Sequence, residues 1–208
     1  LPHLYTMEST LKAHWETVFE TKQPHQVSWT QETPVTSIAY FEAANLPKTA
    51  KIIDVGGGDS KFVDYLLANG FEDITVLDIS KKALERAQER LGEFAQKVTW
   101  IESDINDFHP TETYDFWHDR AAFHFLTAAQ PIARYAQTVA AHAKHIVIGT
   151  FSVSGPLKCS GLTIQQYDEV SMKHLFEGVG FTAEKCVNVD HATPSGAIQN
   201  FIFCSFKR

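Results

Sequence analysis

The sequence predicts an α/β fold: a doubly wound, mostly parallel seven-stranded sheet with an antiparallel last strand, helices on both faces, and two extra N-terminal helices. Three observations lead there. From about residue 50 onward, short apolar runs alternate with amphipathic stretches. The first of those runs ends in a glycine-rich turn, Asp54-Val55-Gly56-Gly57-Gly58-Asp59. The last two runs are joined directly by a short loop, which forces them to pair antiparallel.

Residues 8–22 read as a helix, with Leu11, His14, Trp15, Val18 and Phe19 on one side. Gln23-Pro24-His25 breaks it, and Val27-Ser28-Trp29 lies in an irregular segment. Pro34 opens a second short helix, with Val35, Ile38, Ala39 and Phe41 in its apolar stripe. Residues 8–45 are thus a helical cap on a core spanning 50–208, and the whole of 1–208 reads as a single domain. In the core, 51–55 is a strand, 61–69 a helix stopped by Gly70, and 74–77 a strand. Ser80 is a good N-cap for the helix that runs through Leu91 and ends at Gly92. Strands follow at 98–101 and 114–118, then a helix at 129–143 and a strand at 146–149. The 152–166 loop carries Gly155-Pro156 and Gly161 and is expected to be neither helix nor strand. Residues 166–177 read as a helix, and 181–189 and 198–206 as strands joined by a loop with Pro194 and Gly196.

A chain of 208 residues, 44% hydrophobic, suffices for one well-cored domain. No apolar run approaches the ~20 residues that span a bilayer, so no membrane partner is expected. The N-terminus lacks a basic stretch followed by an apolar core, and Met7 reads as the native start, with residues 1–6 an added segment. Cys159, Cys186 and Cys204 are odd in number and widely spaced, which argues against a disulfide framework or a zinc site and for a reducing cytoplasm. A net charge of −7 argues against sequence-independent nucleic-acid binding. His142 and His145 sit where a helix hands over to a strand and read as surface residues, so no metal is expected.

The chemistry is concentrated in the glycine turn. Glycines let the backbone approach a ligand that a Cβ would exclude, and the next helix points unpaired N–H groups at the same place. Twenty residues after Gly58, a second strand ends in Asp78, which can accept both hydroxyls of a ribose. The dinucleotide fingerprint needs a third glycine, but Lys61 stands there, and no Gly-Lys-Ser/Thr follows to make a P-loop. Asp54 and Asp59 would repel a pyrophosphate between them. The turn therefore suits a nucleoside that carries positive charge and no phosphate.

These residues resemble the seven-strand, Rossmann-like class I S-adenosylmethionine-dependent methyltransferases. Asp54-Val55-Gly56-Gly57-Gly58 is similar to the family's first motif. The resemblance implies that Gly56 and Gly58 line the methionine end, with Asp54 reaching the amino group. It further implies that Asp78 holds the ribose, Ile79 packs on the adenine, Asp104 bonds the adenine amino group and Ile105 flanks the ring, with Trp29 also contacting the cofactor. Tyr114 to Arg120 resembles motif four, which places Asp119 beside the transferable methyl. Trp117-His118-Asp119-Arg120-Ala121-Ala122-Phe123-His124-Phe125-Leu126 is similar to a signature of one bacterial subgroup, whose substrate the resemblance does not supply.

Strand six is parallel to the nucleoside-binding strands, so the 190–196 hairpin and the 152–166 loop are expected at the same sheet edge as Gly56. Asp119, Arg120, His124, Lys158, Cys159, His191 and Gln199 could then converge around the methyl group. Asp119 and His124 are the candidate catalytic residues, able to take a proton from the acceptor. Arg120, Cys159 and His191 are the candidate acceptor-binding residues. Each has a structural alternative: a helix-face histidine, a small loop filler, a salt-bridge partner. The expected activity is methyl transfer to nitrogen, sulfur or oxygen on a small molecule or protein side chain, with S-adenosylmethionine as cofactor and S-adenosylhomocysteine as product. A nucleoside-binding module without catalysis and a nicotinamide-dependent reductase are the alternatives.

Overall fold

The computed structural model describes residues 2–208, with side chains described from residue 10 onward. Residue 1 of the proposed 1–6 extension lies outside the described residues, and the first helix, α1, runs Pro2–Thr21. Then follow α2 (Val35–Ala43), β1 (Lys51–Val55), α3 (Phe62–Ala68), β2 (Asp73–Asp78), α4 (Lys81–Leu91), β3 (Val98–Glu102) and β4 (Tyr114–Arg120). The chain continues with α5 (Ala129–His142), β5 (Ala143–Phe151), β6 (Lys158–Cys159), β7 (Leu162–Thr163), α6 (Glu169–Glu177), β8 (Thr182–Ala192) and β9 (Ile198–Lys207).

Seven of these strands form one sheet in the order β3-β2-β1-β4-β5-β9-β8. β1, β2, β3, β4 and β5 pair in parallel, and β9 runs antiparallel to both β5 and β8. The order reverses direction between β1 and β4, and at such a switch point the two strand ends part and leave a crevice. Strands buried on both faces need helices on both. Ile53, Val55, Trp117 and Ile148 pack with Tyr135 and Val139 of α5 and Met172 and Phe176 of α6. Ile52, Phe116 and Val147 face the other way, against Tyr40 and Phe41 of α2 and Phe62 and Leu66 of α3. α1 sits outside this sandwich, where Trp15, Val18 and Phe19 pack with Val27 and with Ala83 of α4.

The helix boundaries follow local chemistry. Ser80 Oγ accepts from the Ala83 N–H at 3.2 Å and starts α4, and Gly92 at φ +56° ends it. α6 starts later than the expected residue 166, because Asp168 accepts from the Ser171 N–H at 2.8 Å and caps it there.

Two expectations are corrected. The 152–166 segment is not free of strand, since β6 and β7 form a small hairpin with Cys159 opposite Leu162. Ser160 and Gly161 both take positive φ, 49° and 82°, as a two-residue primed turn requires, so Gly161 is a hairpin residue and not only a breaker. Second, Cys186 and Cys204 form a disulfide. The 193–197 turn sets the β8–β9 register so that the two cysteines stand directly opposite, with Cα atoms 4.2 Å apart. The odd count hid a pair plus one buried free thiol, Cys159, and the cysteine argument for a reducing compartment falls with it. Among the described residues no helix is long and apolar enough to cross a membrane.

Candidate active site

The crevice begins at the end of β1. The N–H groups of Gly56 and Gly57 donate to the Leu77 carbonyl at 2.8 and 3.2 Å, which folds the turn onto the end of β2. Gly56 sits at φ +65°, and a Cβ there would lie 2.5 Å from the Ala122 Cβ. A Cβ on Gly58 would lie 2.6 Å from Asp78 Oδ2. The two glycines thus bring the backbone hard against the β4 turn on one side and the β2 carboxylate on the other.

Asp54 is buried at the base of this turn. Its Oδ1 is 2.7 Å from His118 Nδ1, and the Nε2 of that ring is 2.8 Å from Ser37 Oγ. Its Oδ2 is buried without a partner. A buried lone carboxylate oxygen costs roughly 1–3 kcal/mol unless something donates to it, so this atom is a place for a cationic donor. Asp59, expected to act beside it, is instead neutralised by Arg90, which also reaches Asp64 at 2.9 Å. Asp54 alone carries the acidic character of the turn toward the crevice.

A cavity of about 290 Å³ opens next to the turn. It is lined by Trp29, Gly56, Asp78, Ile79, Asp104 and Ile105, which brings six of the expected cofactor residues together. Asp54 and Gly58 line a second, larger cavity of about 670 Å³ that shares Trp29, Gly56 and Arg120 as its wall with the first. Burial lifts the Asp78 carboxyl to about 7, against the N–H of Ser80, which donates to its Oδ1 at 2.8 Å. Asp104 Oδ1 is tied to the backbone N–H and side-chain amide of Asn106, at 2.8 and 3.0 Å.

Sequence reasoning missed several lining residues. Trp15 and Phe19 close the cavity from α1, and their helical spacing was visible only as an apolar stripe. Asn106 lines it too, with its Oδ1 buried and unpartnered, so Asp104 and Asn106 both bring acceptor oxygens to that part of the cavity. Its position two residues beyond Asp104 was the available signal.

The end of β4 departs most from expectation. Asp119 lines neither cavity and is fully buried. Its Oδ1 accepts from the N–H groups of Ala122 and Phe123 at 3.1 and 3.0 Å, and its Oδ2 from the Tyr135 hydroxyl at 2.8 Å. Every donor it can reach is structural, so the expected catalytic and cofactor roles of Asp119 are corrected to that of a turn anchor. Burial raises its carboxyl to about 6. His124 is also fully buried, stacked on Phe151 at 4.7 Å, and burial and the nearby Arg120 charge lower its imidazole to about 3. It lines neither cavity, which removes it as a proton acceptor for a bound molecule. His191 braces the N-terminal segment, with Nε2 2.6 Å from the Ser28 carbonyl and Nδ1 3.3 Å from Gln31, and lines neither cavity. Lys158 and Gln199 line neither cavity.

Arg120 and Cys159 do stand in the wall. Arg120 lines both cavities, donates from Nη2 to the Trp29 carbonyl at 2.9 Å, and lies 5.8 Å from the Phe201 ring centre. Burial pulls its guanidinium down to about 10 and lifts the Cys159 thiol to about 11, so at neutral pH one is a cation and the other a neutral thiol.

Comparison with known proteins adds to this geometry. Residues 52–145 match a family described as a methyltransferase domain. Among curated proteins, 88 residues are 32% identical to EEF1A lysine methyltransferase 2 of Danio rerio, covering 41% of this chain and 38% of that protein. A similar stretch of 89 residues is 33% identical to malonyl-[acyl-carrier protein] O-methyltransferase of Anoxybacillus flavithermus, covering 41% of this chain and 33% of that protein. The match thus spans well under half the length of either relative. Among solved structures, the 1,6-didemethyltoxoflavin-N1-methyltransferase of Burkholderia thailandensis superposes with a TM-score of 0.73 over 100% of this chain and 90% of that one, at 15% identity. The chain has the fold of the Rossmann-like methyltransferases, and its methyltransferase-domain match contains the glycine turn, Asp78, Asp104 and the end of β4.

Proposed function

We propose that the chain binds S-adenosylmethionine in this crevice and transfers its methyl group to a nitrogen, sulfur or oxygen acceptor on a small molecule or protein side chain. The observation that carries the reading is the unpartnered Asp54 Oδ2, buried beneath a turn whose glycines leave room only for backbone. That combination fits an α-ammonium group and opposes a phosphate. The B. thailandensis enzyme, similar in fold, was solved with S-adenosylhomocysteine bound, which supports the same cofactor.

When bound, the cofactor supplies an electrophilic methyl on a sulfonium. The protein's part is to hold and orient. Asp54 would accept from the ammonium, Asp78 from the ribose hydroxyls, and Asp104 with Asn106 from the adenine amine, with Ile79 and Ile105 against the ring. Trp15, Phe19 and Trp29 give the cavity an apolar, aromatic wall. In-line transfer then depends on holding the acceptor about 3–3.5 Å from the methyl carbon. A reductase reading is weaker, because Lys61 stands where a dinucleotide site needs its third glycine and is paired with Glu32. The net charge of −7 supports a partner that is not nucleic acid.

Isothermal titration calorimetry tests the reading. S-adenosylhomocysteine should bind with one site and NADH should not. Absence of S-adenosylhomocysteine binding would reject it.

A further inference from the structure

Four cations line the two cavities: Lys61, Arg86, Arg90 and Arg120. Three have acids. Lys61 pairs with Glu32, Arg86 lies 4.0 Å from Asp59, and Arg90 pairs with Asp59 and Asp64. Arg120 has a single backbone carbonyl and an aromatic ring face, and no carboxylate within ion-pair distance. A guanidinium offers five N–H donors in a planar fork, and the one acid whose charge reaches it, Asp54, lies beyond ion-pair distance and is held by His118, so burying the fork without a paired anion is costly. Such a residue is stabilised when its ligand brings the anion.

A second observation concerns what the acceptor side lacks. Amine or alcohol acceptors must lose a proton, and some group must take it. Asp119 is saturated by three donors, His191 is braced on Ser28 and Gln31, and His124 lies outside both cavities. The His118 ring is held between Asp54 and Ser37. In the smaller cavity the remaining acids are Asp78 and Asp104, at the nucleoside end. Arg120 also lines the larger cavity, whose acids are Glu32, Asp54, Asp59 and Glu89, but in the smaller cavity no described side chain beside it is a base. The wall there is apolar and aromatic: Trp29, Phe125, Leu126, Pro131 and the neutral Cys159.

We propose that the methyl acceptor is a small apolar or aromatic molecule whose accepting group is already an anion, a carboxylate or thiolate, held by Arg120. The proposal rests on the methyl-transfer reading above and names its substrate class. The step balances without a base. A lone pair on the acceptor oxygen or sulfur forms the new bond to the methyl carbon, and the pair of the breaking C–S bond stays on the cofactor sulfur. Sulfonium and acceptor charges cancel, and no proton moves. Arg120 orients the anion and is left facing a neutral ester or thioether, which favours release.

The test compares benzoate with its neutral counterpart benzamide by calorimetry on the full chain, with and without S-adenosylhomocysteine. Benzoate should bind about tenfold more tightly or better, the size of one charge-assisted contact. Arg120→Gln should erase that preference and leave the affinity for S-adenosylhomocysteine within about threefold, while Arg120→Lys, which keeps the charge, should retain part of it. With labelled S-adenosylmethionine, transfer to benzoate marks the carboxylate class, transfer to thiophenol the thiolate class, and transfer to benzylamine alone overturns the proposal. It is also overturned if benzamide binds as well as benzoate, or if Arg120→Gln loses the nucleoside and not the benzoate preference. A wild-type chain that binds no S-adenosylhomocysteine rejects the methyltransferase reading, and the nucleoside-free benzoate comparison still decides whether Arg120 holds anions.

Discussion

Asp78 and Asp119 are the same residue type at the ends of parallel strands, both buried, and burial raises both carboxyls, to about 7 and about 6. They nevertheless do different work. Asp78 gives Oδ1 to the Ser80 N–H, while Oδ2 lies over Gly58 in the crevice. Asp119 is surrounded, because the chain after β4 curls back and aims the Ala122 and Phe123 N–H groups at it while Tyr135 rises from α5. The difference is not in the residue but in where the next three residues go. It also separates two parts of the crevice: the ends of β1 and β2 each keep one carboxylate oxygen free of protein donors, whereas the end of β4 consumes its carboxylate in building the turn that supports it.

Replacing Asp119 should show this most sharply. Asp119→Ala leaves two buried N–H groups and a buried hydroxyl without an acceptor, and at roughly 1–3 kcal/mol each the loss should be about 3 kcal/mol or more. Urea unfolding measures it. The variant that remains folded should bind S-adenosylhomocysteine as wild type does, and a selective loss of binding would break the contrast with Asp78. Next in size is the β8–β9 disulfide. Closing a loop of this length contributes ~3 kcal/mol on the chain-entropy account, so a reductant should lower stability by about that much. It should not alter nucleoside affinity, since neither cysteine lines a cavity. Alkylation of the unfolded chain without reductant should label Cys159 only, and labelling of all three thiols would reject the bond.

Much of this was beyond reach of the sequence for a physical reason. The alternation of strands and helices, the glycine turn and the strand-end Asp78 and Asp104 are local features, each written within a few consecutive residues. What Asp119 faces is decided by Tyr135, sixteen residues on, and by the path of 121–123, where Ala121 takes φ +64°. His191 is fixed by Ser28, 163 residues away. The Cys186–Cys204 pair depends on the hairpin register, which alternation alone leaves open by steps of two residues. Trp15 was legible as an apolar helix position but not as a wall of the crevice, because nothing in the pattern says where α1 docks.

Asp78→Ala should leave stability nearly unchanged, since removing a desolvated acid offsets the lost Ser80 contact. It should weaken S-adenosylhomocysteine by roughly 1–3 kcal/mol, the cost of losing hydrogen bonds to a charged group. A finer effect follows from its raised carboxyl. In the free protein both Asp78 and Asp119 hold protons that the unfolded chain releases. Their stabilising contributions are therefore complete below about 3.8 and are lost as pH rises through about 6 for Asp119 and about 7 for Asp78. Ligand binding runs the other way at Asp78 alone. In the proposed ribose role only the ionised carboxylate can accept from both hydroxyls, so affinity should climb as pH rises through about 7, by up to about tenfold per unit below it. Calorimetry between pH 5.5 and about 8.5 should show that rise in wild type and in Asp119→Asn, and a flat profile in Asp78→Asn. If Asp119→Asn flattens the profile instead, the two carboxylates have exchanged roles: the β4 acid faces the ligand and the β2 acid belongs to the scaffold.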